Sequence, residues 1–127
     1  METKVLMADD EVDILDIMAK RVAQAGYDVV KANDGEEAWD KIVSESPDVI
    51  VLDITMPKKN GLEVLKQLRK SPPSTKWQPV IIVSANNQLE DLRGGYDLEA
   101  DHYITKPCDV SDIIKAIRLM VNLKPRS

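Results

Sequence analysis

Three aspartates, a serine and a lysine in this 127-residue chain stand where their chemistry could be combined. Asp9 and Asp10 follow the apolar run Val5-Leu6-Met7-Ala8. Asp53 closes Val49-Ile50-Val51-Leu52, Ser84 closes Val80-Ile81-Ile82-Val83, and Lys106 follows Tyr103-Ile104-Thr105. If these segments are parallel strands, the polar groups at their C-terminal ends converge on one edge of a sheet. Three carboxylates gathered there repel one another: at roughly 5 Å and an effective dielectric of about 20, each pair costs on the order of 3 kcal/mol. One lysine does not offset that. A hard divalent cation does, and Mg²⁺ suits the site because it takes oxygen ligands from one or two carboxylates and keeps several waters. A carboxylate, a magnesium site, an ammonium and a hydroxyl are the parts needed for phosphoryl transfer onto an aspartate. The carboxylate attacks in line while metal and ammonium neutralise charge on the phosphoryl oxygens.

The elements that must position these groups follow from hydrophobic periodicity. Lys4–Ala8, Val49–Asp53 and Val80–Ser84 read as strands, the last two buried on both faces because they do not alternate with polar residues. Tyr27–Ala32 and Asp101–Thr105 carry weaker strand patterns. Five helices fit around them: Glu11 to Ala25 with Gly26 as a stop, Gly35 to Ser46 after the capping pair Asn33-Asp34, Gly61 to Lys70, Gln88–Leu98, and Val110 to Leu123 with Asp109 able to cap it. The last helix places Ile113, Ile114, Ile117, Met120 and Val121 on one face. This is a (βα)5 α/β pattern, which predicts a doubly wound, five-stranded parallel sheet with right-handed crossovers and helices on both faces. The connection Ser71–Pro79, with three prolines, reads as a loop.

Composition narrows the function classes. The length fits a single core, with residues 1–123 as the expected domain and 124–127 as a tail or linker stub. A net charge of −5, from 17 basic and 22 acidic residues, weighs against direct nucleic-acid binding. The longest apolar runs are too short to cross a bilayer, and the N-terminus lacks a signal-peptide layout. Cys108, the only cysteine, leaves no intramolecular disulfide or multi-cysteine metal site. A soluble, cytoplasmic domain is expected.

Asp9-Asp10, then Asp53-Ile54-Thr55-Met56-Pro57 followed by Gly61, then Ser84-Ala85, then Tyr103-Ile104-Thr105-Lys106-Pro107, resemble the receiver domain of two-component response regulators. The resemblance runs from about Lys4 to Leu123 and implies a flavodoxin-like fold. It implies that Asp53 accepts a phosphoryl group from the phosphohistidine of a histidine kinase or phosphotransfer protein. It implies that Asp10, Asp53 and the backbone carbonyl of Thr55 hold Mg²⁺, with Asp9 supporting the ion through water. Lys106 would pair with the phosphoryl group, and the Lys106–Pro107 bond is expected to be cis. Ser84 and Tyr103 would be the switch pair. The surface of the fourth helix, fifth strand and fifth helix would signal to an effector protein or output domain, and phosphorylation-dependent homodimerisation fits the same surface. Thr55 and Asn86 would flank the phosphoryl group.

Other readings remain open on sequence alone. Singly, Asp9 and Asp10 could cap the first helix, Asp53 could start a turn with Pro57, Ser84 could be a strand-end hydroxyl, and Lys106 a solvated lysine. A haloacid-dehalogenase-type phosphatase also uses a nucleophilic aspartate with magnesium, but it needs an acid two residues later, where this chain has Thr55. A flavodoxin-like cofactor binder would need a phosphate loop where Asp9-Asp10-Glu11 stands. A receiver fragment of a larger DNA-binding transcription regulator is a further alternative. Cys108 departs from the phenylalanine common after Lys-Pro in receivers, and the chain has no Phe. It is read as filling space. His102 is read as a half-exposed strand residue, Lys58-Lys59 as a solvated pair, and the 71–79 loop with Trp77 as variation.

Overall fold

The structure, a computed structural model, describes residues 3–85 and 100–122. Five strands, β1 (Lys4–Ala8), β2 (Asp28–Ala32), β3 (Val49–Asp53), β4 (Val80–Ala85) and β5 (His102–Lys106), form one sheet in the order β2-β1-β3-β4-β5. Every neighbouring pair is parallel. Among the described residues, four helices connect or follow them: α1 (Val12–Gln24), α2 (Gly35–Glu45), α3 (Gly61–Lys70) and α4 (Val110–Asn122), called the C-terminal helix below. Strand and helix bounds differ from those read off the sequence by at most one residue at either end. The expected helix at 88–98, Asn86 and the tail from 123 lie outside the described residues. No described helix is long and apolar enough to cross a membrane.

Period-two alternation in the strands splits the core into two layers. Val5 and Met7, Val49 and Val51, and Ile81 and Val83 face Leu15, Ala19 and Val22 of α1 and Ile113, Ala116, Ile117 and Met120 of the C-terminal helix. Leu6 and Ala8, Ile50 and Leu52, and Val80 and Ile82 face Ala38 and Ile42 of α2 and Val64, Leu65 and Leu68 of α3. Covered on both sides, β3 is buried throughout, as its unbroken apolar run requires. Each large aliphatic side chain removed from water in this way contributes about 1.5–3 kcal/mol before entropy is counted. One expected core position is corrected. Val121 is 41% exposed, and Ala116 completes the buried stripe instead. Ile113, Ala116, Ile117 and Met120 follow the i, i+3, i+4, i+7 spacing, which turns Val121 past the edge of the stripe.

The starts of α2 and α3 are set by side chains. Asp34 accepts the Glu37 N–H at 2.8 Å, and Glu37 Oε1 accepts the Asn33 N–H at 2.6 Å. Asn60 and Glu63 make a reciprocal capping box at the start of α3. Two glycines bring these helix starts against the β3–α3 loop. A Cβ on Gly35 would collide with the Lys59 carbonyl, and one on Gly61 would collide with the Asp53 carbonyl. Gly61 also donates its N–H to the Ile54 carbonyl at 3.0 Å.

The N-terminal edge of the sheet is closed by two aspartates. Asp48 accepts the Lys4 N–H at 2.8 Å, donates its own N–H to the Lys4 carbonyl at 2.7 Å, and pairs with Lys76 at 2.6 Å. Asp101 accepts from the Val80 N–H and from Arg69, both at 2.9 Å, while Arg69 also donates to the Gln78 carbonyl. Gln78 lies buried in the 71–79 loop and donates Nε2 to the Pro47 carbonyl at 3.0 Å. Trp77 in this loop is half-buried.

Burial tends to raise the pKa of Asp48, but hydrogen bonds from Lys76 and the Lys4 N–H, with the charges of both lysines, lower it overall. A carboxyl held below its unfolded value stabilises the fold above that value and loses the contribution as pH falls through the folded pKa. Asp48→Ala is therefore expected to cost about 1 kcal/mol at neutral pH. Denaturant titrations should show the gap to the parent narrowing below about pH 4; a gap that stays constant to pH 2 would contradict the ion-paired clamp.

Candidate functional site

The polar groups at the opposite edge come together as the parallel sheet requires. β1 and β3 are neighbours, with Ala8 beside Leu52, so Asp9 and Asp53 emerge side by side. Carboxylate oxygens of Asp9, Asp10 and Asp53 all lie within 4.8 Å of one another. Asp9 and Asp53 are buried, at 8% and 5% exposure, while Asp10 is exposed. Ser84 pairs with Thr105 in the register of β4 with β5, and Ala85 with Lys106. The Lys106–Pro107 peptide is cis, as expected.

Each buried carboxylate has one backbone donor. Asp53 Oδ1 accepts the Thr55 N–H at 3.0 Å, and Asp9 Oδ1 accepts the Glu11 N–H at 3.0 Å. Lys106 Nζ donates to Asp53 Oδ2 and stands 3.7 Å from Asp9 Oδ2 and 4.0 Å from Glu11 Oε1. The helix-capping alternative for Asp9 and Asp10 is set aside: Glu11 occupies the N-cap position of α1, which has no side-chain cap bond. Lys106 is not a freely solvated lysine either, since it bridges carboxylates from β3 and from the end of β1.

Burial is the largest influence on Asp9 and raises its pKa; the Glu11 N–H and Lys106 oppose it, the charges of Asp53 and Asp10 reinforce it, and the net shift is upward. For Lys106 burial acts downward, but the bond to Asp53 and the charges of Asp53, Asp9 and Glu11 prevail and hold its pKa above the usual lysine value. The site thus concentrates negative charge in a poorly hydrated corner, with one ammonium held tightly among the carboxylates.

The remaining residues fall as follows. Ser84 is fully buried, and its hydroxyl has no hydrogen-bond partner among the described residues. A buried hydroxyl without a partner is costly, and one at a strand end beside a charged site is suited to a ligand oxygen. Tyr103 is half-buried against the layer that contains α2 and α3. Thr55 is exposed. His102 is half-buried on β5, as expected of a strand residue. Cys108 packs against the layer formed with α1 and the C-terminal helix, and burial raises its thiol pKa. Glu11 was not among the expected site residues. Its position directly after the aspartate pair was visible, but its approach to Lys106 required the fold.

Residue types and geometry fit a hard cation. The donors are oxygens from three carboxylates, clustered closely enough to share one ion, and exposed Asp10 leaves the cluster open to solvent. Comparison with known proteins bears on the same architecture. PhoP of Bacillus subtilis (strain 168), the alkaline phosphatase synthesis transcriptional regulatory protein, is 40% identical over 120 residues, covering 92% of this chain and 49% of PhoP. The chain therefore spans about half the length of that relative. The Francisella response regulator 1452 receiver domain superposes with a TM-score of 0.78 at 36% identity, covering 94% of this chain and 96% of that one. The chemotaxis response regulator CheY4 of Vibrio cholerae gives 0.83 at 28%, covering 94% and 99% respectively. Residues 5–118 match the family described as the response regulator receiver domain. With the β2-β1-β3-β4-β5 parallel sheet and the aspartates, serine and lysine gathered at its carboxyl edge, the chain belongs to the response regulator receiver family.

Proposed function

We propose that Asp53 is the phospho-acceptor of this receiver domain. The observation that carries the assignment is its setting: a buried carboxylate at the end of the central strand, bonded to Lys106 and within 4.8 Å of two further carboxylates. An Asp53 oxygen would attack the phosphorus of a phosphohistidine as the phosphorus–nitrogen bond breaks, and the imidazole leaves. The Thr55 N–H holds the other carboxylate oxygen and so fixes the direction of attack. Lys106 would exchange its bond to the carboxylate for one to the phosphoryl oxygens. Asp10, Asp53 and the Thr55 carbonyl would hold Mg²⁺, with Asp9 supporting it through water. When bound, the ion would offset carboxylate repulsion and phosphoryl charge.

An acyl phosphate brings about two negative charges and three acceptor oxygens to one point. The unpartnered Ser84 hydroxyl supports a role for that residue as the group drawn to the new oxygens, with Tyr103 on the neighbouring strand responding. The output surface would include β5 and the C-terminal helix and would act on an effector protein, an output domain or a second copy. On this reading the chain is a cytoplasmic signalling module that catalyses only its own phosphorylation and dephosphorylation. The length of PhoP supports a receiver that is part of a larger transcription regulator. The phosphatase reading is not favoured, because Thr55 stands where its general acid is needed.

Two outcomes are expected. With Mg²⁺ and acetyl phosphate, the parent should gain an acid-stable, base-labile phosphoryl group detectable by mass spectrometry, and Asp53→Asn should gain none; equal uptake by the variant would remove Asp53 from the role. Mg²⁺ should also raise the melting temperature, by an amount corresponding to about 2.7 kcal/mol at a hundredfold excess over Kd. Asp9→Asn should melt higher than the parent in EDTA, because it relieves repulsion, and should gain less from Mg²⁺. A melting temperature insensitive to millimolar Mg²⁺ would count against the metal site.

A further inference from the structure

Between α1 and the C-terminal helix lies a cavity of about 470 Å³ that runs from the phosphoryl site at the carboxyl edge of the sheet into an apolar interior. Leu15 and Met18 of α1, Met7 and Val51 of the sheet, and Ile113 of the C-terminal helix line it, together with the Cys108 side chain. Ile14, 42% exposed, also borders it, so the space communicates with solvent. The volume is that of a small-molecule site, and much larger than the apolar cavities of about 150 Å³ that hold a benzene ring. Water gains little there, because the wall offers few partners away from the carboxyl edge of the sheet.

At that edge the lining changes character. Asp9, Glu11, Asp53 and Lys106 all border the cavity, so carboxylates outnumber ammonium groups three to one. Lys106 is already bonded to Asp53, and Glu11 is 4.0 Å from it and largely exposed. Once exposed Asp10 is counted, negative charge remains in excess even with a divalent cation in place. An apolar chamber with a few convergent polar groups of one sign selects an amphipathic ligand of the opposite sign.

We propose that this cavity binds a small organic cation, an amine carried on an apolar body of about ring size, with the body between α1 and the C-terminal helix and the ammonium toward Glu11 and Asp9. The site does not depend on which aspartate accepts a phosphoryl group. It depends on the volume beside Cys108, where a larger side chain would occupy the chamber.

The test uses the 127-residue chain in Mg²⁺ buffer, followed by two-dimensional amide spectra. The probes are 2-phenylethylamine and its neutral isostere 2-phenylethanol. The amine should shift amides of Leu15, Met18, Cys108 and Ile113 with a Kd near 1 mM, and the alcohol should bind at least about threefold more weakly. Cys108→Phe and the milder Cys108→Leu should each melt no lower than the parent and weaken amine binding at least about tenfold. Absence of clustered shifts, or undiminished amine binding in a folded filling variant, would overturn the site. An alcohol that binds as tightly as the amine would overturn its cationic selectivity.

Discussion

Mutual repulsion among Asp9, Asp10 and Asp53 is the constraint around which this molecule is organised. Parallel pairing of β1 with β3 forces two of these carboxylates together, and burial deprives them of water that would screen them. The counter-charge comes from β5, which is separated from β3 by β4. Two strand spacings are roughly 10 Å, a span that needs a side chain as long as lysine. Lys106 makes that reach and still bonds Asp53, so the strand order and the choice of lysine answer the same electrostatic demand. Without the sheet, the four charged residues would have no reason to meet.

The two edges of the sheet treat their polar groups differently. At the amino edge, Asp48 and Asp101 are engaged by backbone N–H groups and cations, and the charges balance locally. At the carboxyl edge, carboxylates exceed cations and the Ser84 hydroxyl has no partner among the described residues. A fold can carry such a defect at one edge because two well-packed apolar layers and the charge-balanced aspartates of the opposite edge supply stability elsewhere.

Much of this was legible in the residues. The apolar runs ending at Asp53 and Ser84 specified buried parallel strands because they lack polar alternation, and the strand-end chemistry followed from parallel pairing alone. Asn33-Asp34 announced a helix start, and Asn60 with Glu63 carried an equally readable capping box that sequence reasoning passed over. Less was legible where tertiary geometry decides. Val121 looked apolar enough for the core but falls off the buried stripe, because helical phase is set by which residues meet the sheet. Glu11 near Lys106, Arg69 bound to Asp101, and Gln78 buried under its loop each join residues far apart in the chain or on different elements, for which local pattern holds no signal. The space beside Cys108 had one sign in the sequence, a cysteine where receivers commonly carry phenylalanine, but its extent is set by the packing of α1 and the C-terminal helix.

The glycines at the starts of α2 and α3 give the site a stiff side and a side with more freedom. Gly35 and Gly61 let two helix ends press directly on the backbone around Asp53 and Lys59, with no side-chain cushion between them. Backbone against backbone yields little, so the β3–α3 loop acts as an anvil. A change of charge or size at Asp53 cannot be taken up by retreat in that direction. Displacement is steered the other way across the sheet, toward β4 and β5, where Lys106 meets the carboxylate through a long side chain that can rotate.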